Sequence, residues 1–369
     1  MVLRILIALS FLTLVFGILE TLTFRALSKS YAQYGWWSMA KRVWWGGHVV
    51  IWLAFLAAFF MWPTWRGTHP VLLRTIMAVT FALTLPKLFV SGIQLVDELR
   101  AGSMWMWSKW VVKCQGGEFV DRGSFLNQVA QALGLLSFAG MSYGIIWGKY
   151  AYCVREHVVK HPNFPEAFSG LKVVQLSDAH LGSFDGTPEE VLEALRKVQS
   201  LKPDLILFTG DLVNELAEEA EPWVEAFAAL SAPLGKYSVM GTHDYADYGP
   251  FDEAQRQASI AQVKDIQRRM GFQMLDNAHV KWSKEGSSLV LLGVENWGKG
   301  FRKSGDLQQA LAGSDAANHF SMLMSHDPTH FELEVMEGKA PVELTLSGHT
   351  HGMQMGVEIP WLKVKWSPS

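Results

Sequence analysis

Cysteine is nearly absent from this chain, with two in 369 residues, Cys114 and Cys153. Two cysteines build neither a disulfide framework nor a cysteine-rich zinc site, and both read as ordinary buried or interfacial residues. Also missing are a glycine-rich phosphate loop, a G-x-S-x-G nucleophile elbow and a Cys–His pairing. Those absences set aside P-loop nucleotide hydrolysis and covalent serine or cysteine catalysis. At 49% hydrophobic and 18% charged, the chain is too apolar for intrinsic disorder, and no basic domain marks a nucleic-acid footprint.

Acidic residues are scarce in one half only. Residues 1–150 carry 5 Asp+Glu against 13 Lys+Arg, a net of +8, with 11 of the 16 Trp. Residues 151–369 carry 30 against 19, a net of −11, with 10 of the 12 His. The overall charge of −3 is therefore a cancellation between two unlike halves.

The first half reads as a four-helix transmembrane region. Apolar stretches cover residues 5–24, 43–62, 71–96 and 125–148, each near the roughly 20 residues that cross a bilayer core. The first is too long for a signal-peptide core and lacks a small-x-small cleavage site. Trp44, Trp45, Trp62 and Trp65 flank the second as a headgroup belt would. Pro86 and Lys87 interrupt the third, and Gly134, Ala139, Gly140 and Gly144 suit close helix packing in the fourth. His48, Arg74 and Lys87 fall in or near spans. With no acid expected opposite them at similar depth, His48 is read as packed inside the bundle and the long basic chains as reaching to the interface. The loops at 25–42 and 97–124 hold eight Lys+Arg, whereas the other side has Arg4, Arg66, Lys149, Arg155 and Lys160, joined by Arg74 if it reaches the interface. The positive-inside rule then places the C-terminal half, weakly, outside the cytoplasm.

Residues 151–170 read as a linker and 171–369 as a catalytic domain. Short apolar runs at 172–178, 204–211, 237–244, 289–296, 320–327 and 344–351 alternate with helical segments such as 188–200, opened by Thr187–Pro188, and 252–270. That alternation predicts an α/β domain with a largely parallel sheet. Five of the six runs end in Asp or His: Asp178 and His180, Asp211, His243 and Asp244, His326, His349 and His351. One such pair is more often a cap or loop feature. Five at equivalent strand ends converge on one rim, where ligands of α/β sheets bind. Mixed His and Asp donors suit Zn²⁺, Mn²⁺ or Fe. The donors outnumber the needs of one four-coordinate ion, which favours two divalent metal ions sharing a carboxylate. Gly298–Lys299–Gly300 with Arg302 and Lys303 reads as a solvated loop rather than a phosphate contact, and Glu295–Asn296 as structural support.

The ordered motifs Asp178-x-His180, Gly210–Asp211, Gly241-x-His243–Asp244, His326 and Gly348–His349-x-His351 resemble the calcineurin-like metallophosphoesterase superfamily over about residues 170–355. With its first half included, the chain resembles bacterial multi-pass membrane metallophosphoesterases. The resemblance implies a four-layer αββα sandwich, which the run pattern alone does not reach. It implies Asp178, His180, Asp211 and His351 on a first metal, with Asp211 bridging to a second held by His326, His349 and the residue before His243. The family has Asn there; this chain has Thr242, a shorter hydroxyl ligand. His243 matches the family's catalytic His, with Asp244 expected to orient it and raise its pKa. The implied reaction is hydrolysis of a phosphate mono- or diester by metal-activated hydroxide. The membrane tether points to a lipid-linked phosphate ester, with a soluble diester or nucleotide as the other enzymatic substrate. A different class of function is a catalytically impaired membrane protein with a sensing or scaffolding role. Thr242 motivates it, as does the apparent truncation 18 residues after His351, where family members continue with further strands and a missing one exposes a sheet edge.

Overall fold

The computed structural model describes residues 2–110, 122–184, 188–249, 251–300, 302–336, 340–351, 355–359 and 362–366. Lys113, Cys114, Thr187 and residues 367–369 lie outside them. The chain divides into two compact units, Met1–Tyr152 and Cys153–Ser369.

The first unit consists of α1 (Val2–Tyr31), α2 (Trp37–Thr68), α3 (Pro70–Trp110) and α4 (Arg122–Ile146). Each contains a stretch long and apolar enough to cross a membrane: Leu9–Tyr31, Trp37–Trp62, Val71–Met104 and Phe125–Ile146. The helices outrun the apolar segments because backbone hydrogen bonding continues into polar sequence. Pro86 sits inside α3 without ending it, as bundled membrane helices tolerate. A Cβ on Gly134 would meet Val90 Cγ2 at 2.6 Å, so α3 and α4 approach closely there. Ala139, Gly140 and Gly144 are exposed, and a Cβ on either of those two glycines would meet nothing within 4 Å among the described residues, so the expected close packing is confined to Gly134.

One expectation fails here. An acid does stand opposite Lys87: the buried Glu20 of α1 contacts Lys87 Nζ, and His48 Nδ1 of α2 lies 3.1 Å from the same carboxylate oxygen. Lys87 is therefore held inside the bundle instead of reaching for the interface. Glu20 falls near the end of the apolar run but faces Lys87 once α1 and α3 pack.

The second unit holds two four-stranded sheets. The first has the order β1 (Val173–Leu176), β2 (Leu205–Phe208), β3 (Lys236–Ser238), β4 (Gln273–Met274), all parallel. The second has the order β5 (Ala278–Lys284), β6 (Ser287–Gly293), β7 (Phe320–Met324), β8 (Leu344–Leu346); β5–β6 is antiparallel and the rest parallel. The β5–β6 turn uses Glu285 and Gly286, both at positive φ (52° and 76°), the geometry of a tight two-residue hairpin. Beyond His351, β9 (Met355–Ile359) and β10 (Leu362–Trp366) pair as a separate antiparallel hairpin.

Alternation along the strands explains the layers. Leu205 and Leu207 of β2 pack with Leu289, Leu291, Phe320, Met322 and Met324 between the sheets. On the other face of β2, Phe208 meets Phe227 and Phe272, while Val290, Leu292 and Leu323 pack on the helical side of the second sheet. The outer layers include α5 (Glu189–Ser200), α6 (Val224–Ala228), α7 (Glu253–Arg269) and α8 (Leu307–Leu311). Asp252 and Gln255 close a capping box at the start of α7, and Glu189 and Glu190 open α5, where acidic groups favour the helix dipole. A single largely parallel sheet, the reading of the run pattern, is thus replaced by two. A run buried on both faces has the same sequence whether a helix or a second sheet covers it.

Two further expectations change. Phe164 and Phe168, near the end of the supposed linker, pack into the core between the sheets, because their side chains are apolar enough to be worth burying. Cys153 is exposed rather than buried, in a stretch at 151–160 without regular structure.

Candidate metal centre

Parallel pairing brings the carboxyl ends of β1, β2 and β3 to one rim, and of β7 and β8 to another. The two rims meet at the sheet edges β1 and β8. Gln175 donates to the Ser347 carbonyl (2.9 Å), and the His349 N–H donates to Asp178 Oδ1 (3.0 Å). Loops after five strands therefore close on one point.

Two groups of donors form there. Ligand atoms of Asp178, His180, Asp211 and His351 lie within 4.8 Å of one another, as do those of Asp211, His326 and His349. Asp211 is common to both. Its Oδ2 lies 3.1 Å from His326 Nε2 and 3.7 Å from His180 Nε2, while Oδ1 accepts the His243 N–H at 2.8 Å. The His180 and His351 rings stack, with their Nε2 atoms 3.0 Å apart. Thr242 is buried beside them, its Oγ1 3.5 Å from both Asp211 oxygens.

Backbone strain marks the same residues. Asp178, His180, Asp211, His349 and His351 all have φ between 42° and 70°, a region costing a non-glycine residue about 1–2 kcal/mol. Asp and His tolerate it better than branched residues do, and function commonly retains such strain.

Donor chemistry fits a divalent cation. His326 Nδ1 is 2.7 Å from the Thr209 carbonyl. A carbonyl only accepts, so Nδ1 carries the proton and Nε2 faces Asp211 with a lone pair available to a metal. That Nε2 is buried without an aligned hydrogen-bond partner. Burial alone would pull His326 down, but the Asp211 carboxylate holds it up at about 9. Burial holds His180 down to about 4 despite Asp211, and burial with the adjacent His326 lowers His349. Burial opposes ionisation of Asp211, yet His326 and His243 keep its carboxyl well below the ordinary range.

His243 and Asp244 do not act on one another as anticipated. The His243 ring is held by the Asn214 carbonyl, 2.7 Å from Nδ1, leaving Nε2 free. Asp244 is fully buried and accepts from the backbone N–H groups of Asp211, Leu212, Val213 and Gly241 at 2.8–3.2 Å. It binds the loop after β2 to the loop after β3. Burial and the Asp211 carboxylate push its carboxyl above the ordinary range, and the N–H donors limit the rise. Sequence adjacency suggested the His–Asp contact, but the one-turn helix at His243–Tyr245 separates the two side chains.

Three neighbours were not anticipated: Asn214, Asp327, whose Oδ2 is 3.8 Å from His349 Nε2, and Tyr248, stacked on His243 at 4.4 Å. Arg302, read as part of a solvated loop, is tied to Asp247 by two 2.9 Å bonds. Asn296 is buried, and Glu295 accepts from Lys264, in keeping with structural support.

Four apolar helices joined to an α/β domain with His and Asp gathered at its strand ends define a membrane metallophosphoesterase. Residues 171–353 match the calcineurin-like phosphoesterase family, and residues 3–149 match a family described as a probable calcineurin-like phosphoesterase transmembrane domain. The chain belongs to the calcineurin-like metallophosphoesterases. It is 29% identical to the uncharacterized metallophosphoesterase YkuE of Bacillus subtilis, over 66% of this chain and 80% of the relative. It is 28% identical to the UDP-2,3-diacylglucosamine pyrophosphatase LpxG of Chlamydia muridarum, over 53% of this chain and 67% of the relative. A transmembrane protein with metallophosphoesterase domain from Danio rerio is 27% identical over 64% of this chain, and the match spans 53% of that relative.

Proposed function

We propose that this chain hydrolyses a phosphate ester with two divalent ions at the junction of the two sheets. The observation that carries the reading is Asp211, a buried carboxylate shared by two groups of His and Asp donors. Asp178, His180, Asp211 and His351 would hold one ion, and Asp211, His326, His349 and Thr242 the other. When bound, such ions supply Lewis-acid activation of water and neutralise charge on phosphoryl oxygens.

The chain's own groups supply the rest. His243 donates Nδ1–H to the Asn214 carbonyl, so its partly exposed Nε2 is the ring atom available to substrate. Protonated there, it stabilises a phosphoryl oxygen and passes its proton to the leaving group. Asp244 is a positioning residue, setting the loops that carry Asp211 and His243. For the substrate, the four apolar helices and the LpxG relatives, named as UDP-2,3-diacylglucosamine pyrophosphatases, support a lipid-linked phosphate ester. The loop charges support a catalytic domain outside the cytoplasm, and protease accessibility on intact cells tests that orientation.

Metal content measured alongside hydrolysis of a chromogenic phosphodiester and of a nucleotide-diphospholipid in mixed micelles tests the whole reading. About two ions per chain are expected, with turnover that vanishes in His243→Ala and favours the lipid substrate. One ion or none, without turnover even after Thr242→Asn, overturns it in favour of a non-hydrolytic membrane protein.

A further inference from the structure

Thr242 stands where the resemblance implies Asn, and the two side chains meet a cation differently. An amide offers a carbonyl oxygen that carries no proton. A hydroxyl carries one, which must point away from any ion that its lone pairs bind. Thr242 is 4% exposed, and its Oγ1 directs that proton at the Asp211 carboxylate, 3.5 Å from both oxygens. Asp211 is also the carboxylate common to both donor groups. With its oxygens committed to cations, the Thr242 proton needs another acceptor.

One stands beside it. The Tyr248 hydroxyl shares a hydrogen bond with Thr242, and a phenol both donates and accepts. While the Thr242 proton faces Asp211, Tyr248 is the donor of that bond. Reversed, the same bond has Thr242 donating to Tyr248, which frees the lone pairs of Oγ1 on the Asp211 side. Tyr248 is 44% exposed, so its own O–H then donates to water.

The surrounding loops hold that hydroxyl in place. The Tyr248 ring lies on His243 with centroids 4.4 Å apart and planes 26° from parallel. His243 is itself fixed by the Asn214 carbonyl and by an edge contact with His180. Next to Tyr248, Asp247 accepts two 2.9 Å bonds from Arg302. Tyr245 is buried under the same loop, its hydroxyl accepting the Asn296 N–H at 3.3 Å and its ring covered by Arg302. The loop after β6 ends in none of the metal donors named above, yet it anchors the loop after β3. A tyrosine clamped in this way has already lost the rotamer freedom that a loose surface side chain gives up on ordering.

We propose that Tyr248 is a positioning residue for the second ion: its hydrogen bond to Thr242 turns that hydroxyl into a usable ligand and so replaces the missing Asn. This role rests on the two-ion reading of Asp211.

Stepwise Mn²⁺ titration of the EDTA-stripped full chain in detergent, followed by calorimetry, tests it. The unsubstituted chain should bind two ions. Tyr248→Phe keeps the ring on His243 and should weaken one binding step about tenfold, the lower end for losing a group that orients a ligand, with the other step unchanged. Beside Thr242→Asn, whose carbonyl needs no proton acceptor, Tyr248→Phe should cost nothing measurable. Thr242→Val removes the hydroxyl from the other side; it should lose the weaker step, and adding Tyr248→Phe should change nothing more. A tyrosine that only packs on His243 leaves both steps intact in Tyr248→Phe, and one that only supports the loop weakens both steps in every background. Either result overturns the proposal while two ions still bind. Fewer than two ions in the unsubstituted chain overturns this role together with the two-ion reading.

Discussion

At the scale of single residues, Asp244 carries more structure than its place in the motif implied. Four backbone N–H groups fill the acceptor sites of its two oxygens, and an amide in its place turns a donor towards N–H groups. Asp244→Asn is expected to lose about 2–3 kcal/mol in urea unfolding and to lower metal affinity without touching substrate. His326 gives a pH dependence of known sign. Its folded value of about 9 lies above the ordinary 6.5, so the stability it contributes is complete below about pH 6.5 and is lost as pH rises through about 9. Metal-free protein should therefore show a falling urea midpoint across that window, and His326→Gln should flatten the change. Metal loading must expel the same proton, and calorimetry in buffers of different ionisation heat should detect its release. The left-handed backbone at His349, φ 70°, makes a third expectation: His349→Gly should be more stable than His349→Ala by about 1 kcal/mol. Sequence pattern picked out the His and Asp residues because strand ends repeat them, but not the groups that hold their side chains in place. Asn214 acts through its carbonyl, which every residue has, so no residue code could have singled it out.

At the scale of elements, close approach of the β2 and β3 loops depends on two glycines. A Cβ on Gly210, at φ 96°, would meet Gly241 N at 2.6 Å; one on Gly241 would meet Asp211 Oδ1 and lie 2.8 Å from His326 Cε1. Gly241→Ala is expected to abolish metal retention with little change in circular dichroism, because the added methyl displaces Asp211 and leaves the strands alone. Six strand positions were legible from their apolar runs, and α5 from the Thr187–Pro188 that opens its segment. The β5 strand was not, since Ala278–Lys284 mixes charge with aromatic residues and its turn uses Glu–Gly rather than the commoner Asn–Gly. The polar contacts of α3 were equally hidden. Lys87 stood out as a charge within a span but Ser91 did not, and their partners appear only when Glu20 and Thr23 of α1 pack against them.

At the scale of the whole molecule, the charge split between the halves has a physical use on each side. On the proposed reading carboxylates of the second half hold cations, so chelation should lower the thermal midpoint of its unfolding while leaving the helical signal of the membrane region in place. Length, apolarity and the order of Asp and His motifs are local properties. They sufficed for four helices apolar enough to cross a membrane, an α/β domain and the His and Asp residues that gather at its strand ends. Whether one sheet or two carried those residues, what held His243, and which acid faced Lys87 depended on contacts between segments distant in sequence. A side chain's partner across such a contact is set by packing and backbone geometry. Neither is encoded in the spacing of residues along one segment, which is why Asp244 looked like a partner of His243 and Glu20 did not look like a partner of Lys87.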